Sequence, residues 1–242
     1  HEHLPFEVER PKDADFLAEW LTHYFSCDLV SAGLADKDLA FVRDSRKSLK
    51  ARWALVAPYW HAARDTGYGR ALALAARDLY DVPAINADTV AVLQERFAKA
   101  RDCGGHYRRV LEKSKIALCV RDDYGVGDQN RKEEPFVFTL RTDGLVCPGG
   151  YAALAALGDT VGVKVHSLSD WMEVARRQID RHFDGTRRVV CLKSGLAYQR
   201  SLRYDKVTYA EAEKEFNRIY ADRNLPTWRT AEKSGVTVEN FM

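Results

Sequence analysis

Hydrophobic positions follow a helical rhythm up to about residue 100 and a mixed one beyond it. After Leu4-Pro5-Phe6, where proline holds its predecessor extended, Phe16, Leu17, Trp20, Leu21, Tyr24 and Phe25 recur at spacings of three and four. That spacing predicts an amphipathic helix. Gly33 breaks the pattern, a short amphipathic piece covers 36–42, and helix resumes near Ser48 with Trp53, Leu55, Val56, Tyr59 and Trp60 until Gly67 or Gly69. Residues 72–80 predict a further helix, ended by Asp81-Val82-Pro83, and Asn86 stands where an N-cap would open a helix carrying Val90, Val92, Leu93 and Phe97.

Short apolar runs then appear. Residues 116–120, closing in Arg121-Asp122-Asp123, predict a strand buried on both faces, and 136–140 and 189–192 predict two more. Between the last two, Ser167 caps a helix with the stripe Leu168, Trp171, Met172, Ala175, Ile179 and Phe183. The tail returns to helix, with Thr208 as N-cap and Glu211 completing a capping box. Strands alternating with long helices predict a parallel α/β architecture. The helical stretch at about 13–115 is too long for a crossover, so it reads as an insertion after a first strand at the very start.

Composition narrows the classes. The 242 residues suffice for a sizeable core, and 46% are hydrophobic. Basic and acidic residues number 37 and 35, well mixed, which gives no support for nucleic acid or an anionic membrane as partner. No stretch approaches the roughly 18 apolar residues of a membrane span. The five cysteines, Cys27, Cys103, Cys119, Cys147 and Cys191, are odd in number and widely spaced. They suit a reducing, cytoplasmic setting rather than a disulfide framework or a zinc knuckle. The chain lacks an initiator Met and stops in a helix-like pattern at 238–242, so both ends read as cut.

The densest chemistry lies at the start, in His1-Glu2-His3. Alternation along a strand points residues i and i+2 to one face, so two imidazoles can grip one divalent ion. The same triplet also suits copper(II), held by a free α-amino group with both imidazoles. A third group joins if His1 to His3 closes one parallel strand and Lys193 closes another, because all three then project at one rim. Asp122 and Asp123 also end a strand, where carboxylates hold substrate, serve as a general base or simply form a turn. Tyr198, Gln199, Arg200 and Arg203 follow the Lys193 strand. Their guanidinium forks suit an acidic substrate, or pair with nearby acids such as Asp205. His23, His61 and His106 fall within or beside helices and read as packing or surface residues.

His-Glu-His-Leu-Pro-Phe, with the stretch from Trp53 to Tyr80 and the run from Val190 to Tyr198, resembles the amidohydrolase superfamily, in its amidohydrolase-related branch. The resemblance implies a metal-dependent (β/α)8 barrel with a large helical insertion after the first strand. It makes His1 and His3 metal ligands, and Lys193 either a carboxylated bridge between two metals or a substrate contact. The superfamily draws further ligands from its fifth, sixth and eighth strands, and no histidine follows Lys193. The resemblance therefore implies that residues 1–242 are the N-terminal portion of one barrel domain, the remainder coming from a missing segment or another chain. The implied activity is hydrolysis of a C–N or C–O carbonyl bond in a small, optionally carboxylated substrate. The cofactor would be one or two divalent ions, zinc first, with a homo-oligomer among the assemblies. The alternatives are nonhydrolytic decarboxylation on the same fold, or a non-catalytic binding or scaffold role.

Overall fold

The computed structural model describes residues 1–13, 15–21, 24–122, 136–224 and 236–242. It divides into two compact units, 5–116 and 1–4 together with 117–242.

The first unit is helical. Its elements are α1 (Phe16–Trp20), α2 (Tyr24–Ser31), α3 (Asp36–Arg43), α4 (Leu49–Ala63), α5 (Gly67–Tyr80), α6 (Val90–Asp102) and α7 (His106–Lys113). Phe16, Leu17, Leu29, Trp53, Trp60, Leu93 and Phe97 form its buried core. The continuous stripe expected over 16–25 is divided: α1 ends at Trp20 and α2 opens at Tyr24, so the spacing persists while the helix does not. Thr66 caps α5 by accepting from the Gly69 N–H, so the helix starts at Gly67, where a stop was expected. Asn86 sits one turn ahead of the cap position, accepting from the Asp88 and Thr89 N–H groups in an Asx-type turn before α6. Arg52, 1% exposed, is held by the Asp15 carboxylate and the Val42 carbonyl, a buried charge that is fully partnered.

The second unit carries the sheet. Strands β1 (Cys119–Arg121), β2 (Phe136–Arg141) and β3 (Val189–Lys193) lie parallel in the order β1-β2-β3. The chain passes from β2 to β3 through α8 (Asp143–Val146), α9 (Tyr151–Asp159) and α10 (Leu168–His182). Helices α11 (Tyr209–Ala221) and α12 (Val236–Phe241) follow. Trp171, Leu168 and Val174 of α10 pack with Leu154, Phe216 and Ile219, and the Trp171 indole donates to the Leu145 carbonyl. Ser167 with Asp170, and Thr208 with Glu211, close capping boxes at α10 and α11.

The sheet corrects the barrel expectation. The described residues form one open sheet of three parallel strands, not a (β/α)8 barrel. Closure requires each strand to find a partner on both sides. Among the described residues β3 pairs only with β2, and its Val190 and Leu192 are each 52% exposed. The run at 116–120 is corrected too. Pairing begins only at Cys119, and Ile116 and Leu118 are about half exposed. Among the described residues, no helix is long and apolar enough to cross a membrane.

Candidate metal centre

The opening triplet docks beside β1. The Glu2 N–H donates to the Val120 carbonyl and the Asp122 N–H to the Glu2 carbonyl, a parallel bridge pairing Glu2 with Arg121. Pairing fixes faces: with Glu2 opposite Arg121, His3 stands next to Asp122 on the same side, and alternation returns His1 to that side. The two imidazoles meet edge to face, 5.1 Å between centroids. One ligand atom from each of His1, His3 and Asp122 lies within 4.8 Å of the others.

Hydrogen bonds prepare these atoms. A carbonyl can only accept, so the 2.8 Å contact between His3 Nδ1 and the Asp122 main-chain oxygen places the proton on Nδ1. A carbonyl bonded to one ring nitrogen is the usual backing of a metal-bound histidine. The Asp122 side chain is fully buried, whereas both histidines are exposed. Arg141, at the end of β2, donates Nε and Nη2 to the two Asp122 oxygens at 2.9 and 2.8 Å, and the Thr139 hydroxyl lies 3.4 Å from Oδ1. Burial alone would raise the Asp122 carboxyl. The paired Arg141 bonds, with the charges of Arg141, His3 and Lys193, outweigh it and hold the group below the ordinary carboxylate range. The carboxylate is therefore ionised and fixed, as a ligand must be.

Lys193 ends β3 opposite Arg141. Its Nζ lies 3.3 Å from His1 Nε2 and 4.0 Å from Asp122 Oδ2. Lys193 thus brings a positive charge to the mouth of a site built from two imidazoles and one carboxylate. Beyond it, the Gly195 N–H donates to Asp143 Oδ1 at 2.8 Å. A Cβ at Gly195 would meet Arg141 Nη1 at 2.7 Å, so glycine lets this turn close over the guanidinium.

The other expected residues lie elsewhere. Arg200, its side chain 3% exposed, donates to Glu239 at 3.0 Å and also to Asn240, and stacks over Tyr204. Those bonds tie α12 to the segment after β3. Arg203 pairs with Asp205 at 3.1 Å, and Tyr198 projects into solvent, 94% exposed. None of the three is bonded to the His1, His3 and Asp122 group. Asp123 and His23 lie outside the described residues. His61 is exposed beside Arg64, and His106 contacts the Tyr80 hydroxyl. Sequence reading missed Arg141 and Thr139. Their signal is faint: a hydroxyl inside the buried run of β2 and a charged residue at its end.

No protein-family model and no curated protein matched this chain.

Proposed function

We propose that the chain is a metal-dependent hydrolase whose ion is held by His1, His3 and Asp122. The observation that carries this reading is the convergence of three ligand atoms, with His3 backed by a carbonyl and Asp122 clamped by Arg141. Two imidazoles and one carboxylate suit zinc, and three protein ligands leave a position for water. Bound there, the ion would bring the pKa of water to about 7 and polarise a carbonyl oxygen.

The chain's own residues do the rest. His3 and Asp122 set the ligand geometry, Arg141 keeps Asp122 ionised, and Lys193 meets the substrate's carbonyl or carboxylate oxygen. The substrate is a small molecule with a C–N or C–O carbonyl bond. The kinship we propose with the amidohydrolase superfamily rests on the His-x-His motif and the strand-end Lys193, not on barrel closure. Five free thiols support a reducing compartment, the cytoplasm in this proposal.

The test is hydrolysis of a panel of small amides, lactones and esters by zinc-loaded protein. His3→Ala and Asp122→Asn should each abolish turnover. Turnover that persists in both variants, or fails with every substrate in zinc-loaded wild type, ends the proposal.

A further inference from the structure

The end of β3 is pinned to the end of β2 on both sides of Ser194. Thr142 donates its N–H and its hydroxyl to the Lys193 carbonyl, at 3.0 and 3.3 Å. Two residues on, the Gly195 N–H is held by Asp143 Oδ1 at 2.8 Å. The other oxygen, Asp143 Oδ2, is closed off from water and lies 3.8 Å from Arg141 Nη1. Asp143 thus stands between two donors, a main-chain N–H and a guanidinium, with its side chain only 13% exposed. That arrangement asks for a carboxylate. An amide of the same shape has one acceptor and one donor end, so an asparagine would turn its NH2 on Gly195 or on Arg141 in either orientation.

The pinned segment is the base from which Lys193 reaches the rim. Its Nζ stands 3.3 Å from His1 Nε2, at the tip of a flexible four-carbon stem. Such a stem places its ammonium reproducibly only if its own backbone is held. An offset of about 1 Å at a reacting centre can cost about a hundredfold in rate. We infer that Asp143 is a positioning residue for Lys193. It acts by fixing the turn that sets where the ammonium meets a substrate's carboxylate or carbonyl oxygen. The inference rests on the hydrolase reading, in which Lys193 is the substrate's contact.

Cobalt(II) in place of zinc makes the site visible, and acetate serves as the carboxylate probe, followed through the cobalt absorption bands of the full chain. Lys193→Met should weaken acetate binding by about fivefold, the equivalent of one partly exposed charge pair. Asp143→Asn should lose most of that factor, yet weaken acetate no further in the Lys193→Met background, because both act through one ammonium. Unchanged acetate affinity in Asp143→Asn, or the same loss with and without Lys193, overturns the inference; the second result is what a merely structural role gives. Acetate that binds wild type and Lys193→Met alike removes Lys193 from the substrate's contacts, and the inference falls with it. The Gly195 amide supplies a reading without metal. Its hydrogen exchange, followed by NMR, should be at least about tenfold slower in wild type than in an unstructured chain. An unprotected amide overturns the inference even if Asp143→Asn does not fold. Wild type that takes up no cobalt ends the hydrolase reading and this inference with it. Wild type that binds cobalt and acetate, with Asp143→Asn behaving likewise, ends the inference alone.

Discussion

Replacing Arg141 with Met tests the clamp on Asp122. The substitution keeps an unbranched stem and removes both guanidinium bonds to a carboxylate that is fully buried. What remains around Asp122 is the Thr139 hydroxyl at 3.4 Å, His3 Nδ1 at 3.9 Å from Oδ2 and Lys193 at 4.0 Å. None of these matches the lost pair in length, and orphaning one partner of a buried ion pair costs about 3–5 kcal/mol. The two nearby cations argue for the lower end, about 3 kcal/mol, which corresponds to a change of about 150-fold in an equilibrium constant. Amide hydrogen exchange of β2, read by mass spectrometry in metal-free buffer with α6 as reference, localises the effect to the sheet unit. Exchange in β2 should accelerate by about two orders of magnitude. Adding Asp122→Asn to the variant removes the orphaned charge and should recover most of the loss, giving a coupling of about 2 kcal/mol. Less than tenfold acceleration, or strictly additive effects in the double variant, would refute the clamp.

Lys193→Met removes a positive charge 3.3 Å from a ligand nitrogen, so zinc should bind up to about tenfold more tightly while hydrolysis is lost; weaker zinc binding would instead make Lys193 a ligand. Gly158→Ala places a Cβ 2.4 Å from the Val163 carbonyl, and backbone cannot yield as a side-chain tip can. It should cost about 1–3 kcal/mol, visible as a lowered Tm, and an unchanged Tm would show that α9 can shift. His182 is 2% exposed with Nδ1 on the Gln178 carbonyl, and burial, reinforced by Arg187 and Arg181, pushes its imidazole below the ordinary value. The unfolded state then binds the extra proton first, so the His182 contribution is complete above about pH 6.5 and is lost as pH falls below it. Urea titrations at stepped pH should show a shallower acid-side decline for His182→Gln than for wild type; identical slopes would contradict the assignment.

Local chemistry was legible and long-range pairing was not. The caps at Ser167 and Thr208 are written within four residues, and both form. The strands at β2 and β3 follow from short apolar runs, buried along β2 and half exposed along β3. Barrel closure is a different kind of property, because it depends on partners for β3 that no local pattern specifies. Arg200 shows the same limit: its acid is Glu239, 39 positions away, while Asp205, the nearby acid, pairs with Arg203. At the candidate centre, alternation was enough to place His1 and His3 on one face. Only the register of Glu2 against Arg121 brings Asp122 to them, and only the pairing of Arg141 with Lys193 brings both cations to the same rim.

The central claim is that His1, His3 and Asp122 make one ion site, and zinc titration of metal-free protein by calorimetry tests it most directly. Wild type should take up one zinc per chain with micromolar or tighter affinity. His3→Ala and Asp122→Asn should each weaken it by at least about a hundredfold, since even groups that merely support a ligand contribute ten- to a hundredfold. Zinc uptake unchanged in both variants, or no uptake by wild type, would contradict the account.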